Sequence, residues 1–86
     1  MPPYKIILSS KAERQFFKLP NQVADSIETK LTSLIENPRP SGCKKLKDTK
    51  NTWRVRVGDY RIVYDIQDAI LVVTVIKLGH RRDVYD

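Results

Sequence analysis

The 86-residue chain is short of the residues on which many protein chemistries depend, with one cysteine, one histidine and three glycines. A lone Cys43 excludes an internal disulfide, and the single His80 cannot join it in a four-ligand Cys/His zinc site, so neither a structural metal nor any cofactor is expected. Long apolar runs are missing too. The opening Met1-Pro2-Pro3-Tyr4-Lys5-Ile6-Ile7-Leu8 is too short an apolar stretch for a signal peptide. No segment approaches the ~18 apolar residues of a membrane span, so no membrane partner is expected and the expected compartment is the cytoplasm. Repeats, low-complexity tracts and linkers are also lacking, which leaves residues 1–86 as one domain able to form a single small core. What the chain has in excess is positive charge: 16 Lys and Arg stand against 10 Asp and Glu, a net charge of +6. That balance points to a polyanion or an acidic protein as partner.

Tyr4 to Leu8 reads as a first strand, and Ser10-Lys11-Ala12-Glu13 has the spacing of a capping box, which predicts a helix starting there and ending at Pro20. Ala12, Phe16 and Leu19 form its inward stripe. A longer helix is predicted from about Pro20, because Val23, Ile27, Leu31, Leu34 and Ile35 recur at helical spacing, and Asn37-Pro38 stops it. Pro38-Arg39-Pro40-Ser41-Gly42 is then a stiff loop leading to Cys43-Lys44-Lys45-Leu46-Lys47. From Ala69 to Leu78 the chain is almost continuously apolar and β-branched, the mark of a central strand, with Gln67-Asp68 turning into it and Gly79 closing it. The order strand, helix, helix, strands predicts an α+β fold (β-α-α-β-β-β), with both helices on one face of a small antiparallel or mixed sheet. Strand order is not readable at this level.

Between these elements lies the most informative segment, Trp53-Arg54-Val55-Arg56-Val57-Gly58-Asp59-Tyr60-Arg61-Ile62-Val63-Tyr64. Alternation puts Trp53, Val55 and Val57 on one side and Arg54 and Arg56 on the other. Gly58-Asp59 suits a two-residue hairpin loop, which sets Val57 opposite Tyr60 and Arg56 opposite Arg61. Two like charges facing each other weaken a sheet, so their presence points to a bound anion, phosphate first. The apolar side, continued by Tyr60, Ile62, Tyr64 and Ile66, is expected under the helices, and the arginine side open. The tail His80-Arg81-Arg82-Asp83-Val84-Tyr85 joins Arg56 and Arg61 if the last strand lies beside the hairpin.

Metal-independent RNA cleavage is chemistry that such a face suits. The ribose 2′-hydroxyl serves as nucleophile, and the protein removes one proton, supplies another to the leaving 5′-oxygen and stabilises the charge gathering on phosphorus. Arginine suits the last task only, since it stays protonated below pH ~12. Tyr85 and His80 are the candidates for moving protons, beside bland readings as a packing tyrosine and a surface imidazole. Lys44, Lys45 and Lys47 read equally well as a phosphate-tracking run or as a solvated segment around a buried Leu46.

Taken together, the Asn37-Pro38-Arg39-Pro40 loop, the Lys45-Leu46-Lys47 segment, Arg54-Val55-Arg56-Val57-Gly58-Asp59-Tyr60-Arg61-Ile62-Val63-Tyr64 and the ending Gly79-His80-Arg81-Arg82-Asp83-Val84-Tyr85 resemble the RelE/ParE superfamily of toxins, in its RelE branch of ribosome-dependent messenger-RNA endonucleases. The resemblance implies the toxin component of a type II toxin–antitoxin system. It implies Arg56, Arg61 and Arg81 at the scissile phosphate, with Tyr85 and His80 as the further catalytic candidates. Arg54, Lys45, Lys47 and Arg82 would bind RNA. The partners implied are a cognate antitoxin, the ribosome with messenger RNA in its A site, and operator DNA only indirectly through the antitoxin. Relatives carry lysines at the positions of Arg54 and Arg56, and arginine cannot serve as a base there, which shifts proton transfer to Tyr85 or His80. The competing readings are a ParE-like toxin that inhibits gyrase by binding, and a non-catalytic antitoxin-binding module.

Overall fold

In the computed structural model, which describes residues 3–84, the chain runs through β1 (Lys5–Leu8), α1 (Ser10–Phe17), α2 (Asn21–Glu36), β2 (Lys44–Lys45), β3 (Thr52–Val57), β4 (Tyr60–Gln67) and β5 (Val72–His80). The strands form one mixed sheet in the order β1-β5-β4-β3-β2, with β1 parallel to β5 and the other neighbours antiparallel. β5 is therefore an interior strand flanked on both edges, by β1 and β4, as its apolar run predicts. Both helices lie on one face. Ala12, Ile27, Leu31 and Leu34 pack there against Val55, Ile62, Tyr64, Ile66, Val73, Val75 and Leu78. Truncating any of the fully buried aliphatic side chains, such as Leu34 to Ala, costs about 2–5 kcal/mol.

Several boundaries differ from the sequence-based expectation. Ser9, not Ser10, caps α1: its backbone is extended and its Oγ accepts from the Ala12 amide at 3.0 Å. The Ser9 hydroxyl also donates to the Ile76 carbonyl at 2.7 Å, so one side chain starts the helix and fastens it to β5. The helix ends at Phe17, and Pro20 caps the start of α2, where its missing N–H costs nothing. β5 begins at Val72 rather than Ala69, because Asp68–Ile70 form a 3-10 turn and Leu71 takes a left-handed φ of 55° to reverse the chain. No glycine announces that reversal. Gly79 does not close the strand either, which continues through His80.

The stiff loop after α2 is pinned from three directions. Arg39 forms a two-pronged ion pair with Asp68, Nη1 to Oδ1 at 3.2 Å and Nη2 to Oδ2 at 2.8 Å. Its guanidinium also lies 5.2 Å from the centre of the Trp53 ring. The buried Tyr64 hydroxyl donates to the Pro38 carbonyl at 2.8 Å, and burial pushes its ionisation up out of reach. Tyr4 completes the latch by donating to Asp68 Oδ1 at 2.6 Å.

Candidate functional site

The hairpin forms in the predicted register: Val57 pairs with Tyr60, Arg56 with Arg61 and Val55 with Ile62. Gly58 carries a φ of +59° at the first loop position, where a side chain would be strained. With Val55 and Ile62 buried under the helices, Arg54, Arg56 and Arg61 share the opposite, open face of the sheet. Arg54 loses some of its proton affinity through partial burial first, then through the charges of Arg61 and Arg56. The three guanidinium groups thus share one electrostatic environment.

Cross-strand pairing also sorts the lysines. Lys44 pairs with Arg54 and joins the open face, whereas Lys45 pairs with Trp53 and lies on the other side. Lys47 is exposed in the loop after β2, so of the Lys44–Lys47 run it is Lys44 that stands with the arginines. Lys44, Arg54 and Arg56 line a cleft of about 370 Å³ together with Lys30 of α2, Ser41, Gly42 and Val55. Among the described residues its lining holds no carboxylate. Lys30 had no sequence signal, since an isolated lysine on a helix is usually just solvated.

The tail meets this face by a route that turns on one irregularity. Between Val63 and Tyr64 of β4 the register shifts, so that Tyr64 pairs with Val75 and Val63 with Lys77. This β-bulge reverses the alternation of β5: Val73 and Val75 point to the core, and beyond the bulge Leu78 does. Gly79, opposite Arg61, is thereby placed on the open face, and His80, opposite Tyr60, on the helix side. The expected convergence of His80 with Arg56 and Arg61 is corrected accordingly. His80 packs edge-to-face on Tyr60, with ring centres 5.4 Å apart, in a hollow it shares with Gln15, Lys18 and Asp83.

After His80 the chain doubles back. The Arg81 amide donates to the Asp59 carbonyl of the hairpin loop at 2.7 Å, and the Asp83 amide to the His80 carbonyl at 2.8 Å. Val84 is buried against Gly79, where an added Cβ would stand 3.2 Å from Val84 Cγ2. Arg81 and Arg82 are exposed in this turn beside the hairpin loop, and Tyr85 lies outside the described residues. Among the described residues no three His, Cys, Asp or Glu side chains gather as a metal site, and no helix is long and apolar enough to cross a membrane.

A two-helix, mixed-sheet scaffold carrying a guanidinium cluster on its open face has the α+β form that the resemblance to RelE-type toxins implies. Comparison with known proteins agrees. Residues 6–85 match the family model for the ParE toxin of type II toxin–antitoxin systems. Toxin RelG of Mycobacterium tuberculosis is 30% identical over 84 residues, covering 96% of this chain and 97% of the relative. The mRNA interferase toxin RelE of Escherichia coli K12 is 29% identical over 81 residues, covering 92% and 84%. Among solved structures, the RelBE2 toxin–antitoxin complex of M. tuberculosis superposes with a TM-score of 0.81 at 27% identity, covering 92% of this chain and 99% of the other. The chain belongs to the ParE toxin family of the RelE/ParE superfamily and is the toxin of a type II toxin–antitoxin system.

Proposed function

We propose that this toxin is a metal-independent endoribonuclease that cuts messenger RNA held in the ribosomal A site. The 2′-hydroxyl attacks the adjacent phosphorus, the P–O bond to the 5′-oxygen breaks, and a 2′,3′-cyclic phosphate and a 5′-hydroxyl result. Arg56, Arg61 and Arg81 stabilise the charge that gathers on the phosphoryl oxygens, a task for preorganised, permanently protonated donors. Arg54, Lys44 and Lys30 hold neighbouring phosphates along the cleft. Tyr85 is assigned the movement of protons at the scissile bond, a task the arginines cannot perform. The observation that carries this reading is the direct cross-strand pairing of Arg56 with Arg61, which sets two guanidinium groups where a phosphodiester, and the dianionic phosphorane it becomes, can meet both. The chain's similarity to an mRNA interferase supports the same chemistry. In the resting cell a cognate antitoxin covers the toxin, as the complex of its structural neighbour suggests, and operator DNA is contacted through that antitoxin.

The test is induction of the protein without its antitoxin, followed by mapping of messenger-RNA 5′ ends, with Arg81→Ala as control. Cuts inside translated codons that vanish in a folded Arg81→Ala protein are expected. The family description, which names ParE, keeps a second reading in view, inhibition of gyrase by binding. Intact messages with arrested replication would select that reading instead.

A further inference from the structure

His80 opens the turn that sends the chain back over the arginine face. Its carbonyl oxygen accepts from the Asp83 amide at 2.8 Å, and its ring Nδ1 accepts from the Arg82 amide at 3.2 Å. The first position of a β-turn favours Asp, Asn and Ser, because a short acceptor there can take the amide two residues on. Nδ1 of histidine stands as many bonds from Cα as Oδ1 of asparagine, so the imidazole fills the same role. Tyr60 holds the ring from the side, edge to face at an interplanar angle of 76°.

This hydrogen bond restricts what the imidazole can do. A neutral ring has one acceptor nitrogen and one N–H. With Nδ1 engaged by Arg82, the proton sits on Nε2, and no lone pair is left to take a proton from a ribose hydroxyl. The imidazolium, which could donate one, would set its own N–H against that of Arg82. The ring also lies on the helix side of the sheet, away from Arg54, Arg56 and Arg61.

We propose that His80 is a positioning residue and not a proton carrier: its neutral imidazole caps the turn 80–83 through Nδ1 and so holds the segment from Arg81 to Val84 against the face that carries Arg61. The proposal rests on the endoribonuclease reading for its effect on activity. The cap itself does not depend on that reading.

Two variants separate the roles. His80→Asn keeps an acceptor at the same reach and removes the imidazole, whereas His80→Phe keeps the ring on Tyr60 and removes the acceptor. Cleavage of message in programmed ribosomes and hydrogen exchange of the Arg82 amide in the isolated toxin are measured for both, with thermal melts confirming folding. The expected result is His80→Asn within about threefold of the parent in kcat, with the Arg82 amide still protected. His80→Phe is expected to lose about tenfold in kcat at little changed KM, as one lost hydrogen bond would dictate, with Arg82 exchange accelerated. A proton carrier would instead lose ~10²–10⁴-fold in His80→Asn. That loss in a variant whose Arg82 amide stays protected, or an Arg82 amide no less protected in His80→Phe than in the parent, overturns the proposal. Should the parent cleave no ribosome-bound message, the functional reading falls and the exchange measurement alone decides whether the cap exists.

Discussion

Arg39, stacked on Trp53 near the start of β3, and Arg56, near the end of the same strand, are treated in opposite ways. Arg39 is matched by a carboxylate in a two-pronged pair, backed by the Trp53 ring and joined by Tyr4, and the result is a latch that fixes the loop after α2. Arg56 is paired across the strands with another arginine, beside a cleft lined by Lys30, Lys44 and Arg54. The first arrangement pairs opposite charges and ties down a loop; the second sets like charges opposite each other, as a site for a polyanion would. Net charge alone does not distinguish them, but the partner across the strand does.

Replacing the arginine that faces Arg61 breaks the comparison most sharply. Arg56→Thr removes a like-charge pair and inserts a good strand former, so thermal unfolding should shift upward by the equivalent of ~0.2–1 kcal/mol. Cleavage should fall about a hundredfold through loss of transition-state charge stabilisation. Melting curves and ribosomal cleavage assays on the same preparation check both signs. A variant that loses activity and stability together would place Arg56 among the structural arginines.

Gly79 tests whether the tail must lie on the arginine face. A side chain there meets Val84 Cγ2, and the two methyls of Gly79→Val leave Val84 no room to settle against the strand. Val84, and the turn that leads to it, is then displaced from its place against residue 79. Cleavage is expected to drop about tenfold or more through misplacement of the tail, while circular dichroism of the helices stays unchanged.

These two sites also mark how far the sequence can be read. The hairpin register was legible because Gly58-Asp59 and strict alternation agree on one pairing. The helices were legible to within a few residues from the spacing of Ile27, Leu31 and Leu34. The face of His80 was not, because it depends on a bulge opposite Val63 and Tyr64 that reverses the alternation of β5, and nothing in an apolar β-branched run marks where a bulge falls. The parity of Lys44 and Lys45 was hidden for a related reason: a two-residue strand has no period to read. Strand order was hidden because the place of β1 beside β5 follows from how the helices cross the sheet. Arg39 read as part of a stiff loop, and its pairing with Asp68 joins residues too far apart in sequence for any local pattern to show.

On the latch side the effects are smaller and fall on stability. Tyr64→Phe removes the buried hydroxyl that donates to the Pro38 carbonyl, and it should cost about 1–2 kcal/mol in denaturant unfolding, since that carbonyl is left without its partner. Cleavage per folded molecule should be unaltered, which would separate the loop anchor from the arginine face.

The weakest expected effect is the most specific in its pH dependence. Hydrogen bonds from Arg39 first and Tyr4 second hold the Asp68 carboxyl down at about 2, against an ordinary 3.8. A carboxylate whose ionisation is depressed in the fold contributes stability above its unfolded value, and that contribution is lost as pH falls through the folded one. Wild-type stability should therefore carry a component that is complete above about pH 4 and gone near pH 2, and Asp68→Asn should lack it. Because the pair is exposed the component is small, and salt should shrink it further. Unfolding curves of the two proteins across this window, taken as a difference so that the remaining carboxylates cancel, check the prediction. A difference that grows toward acid would mean that Asp68 is better accommodated protonated, and that Arg39 is held by Trp53 and not by its carboxylate.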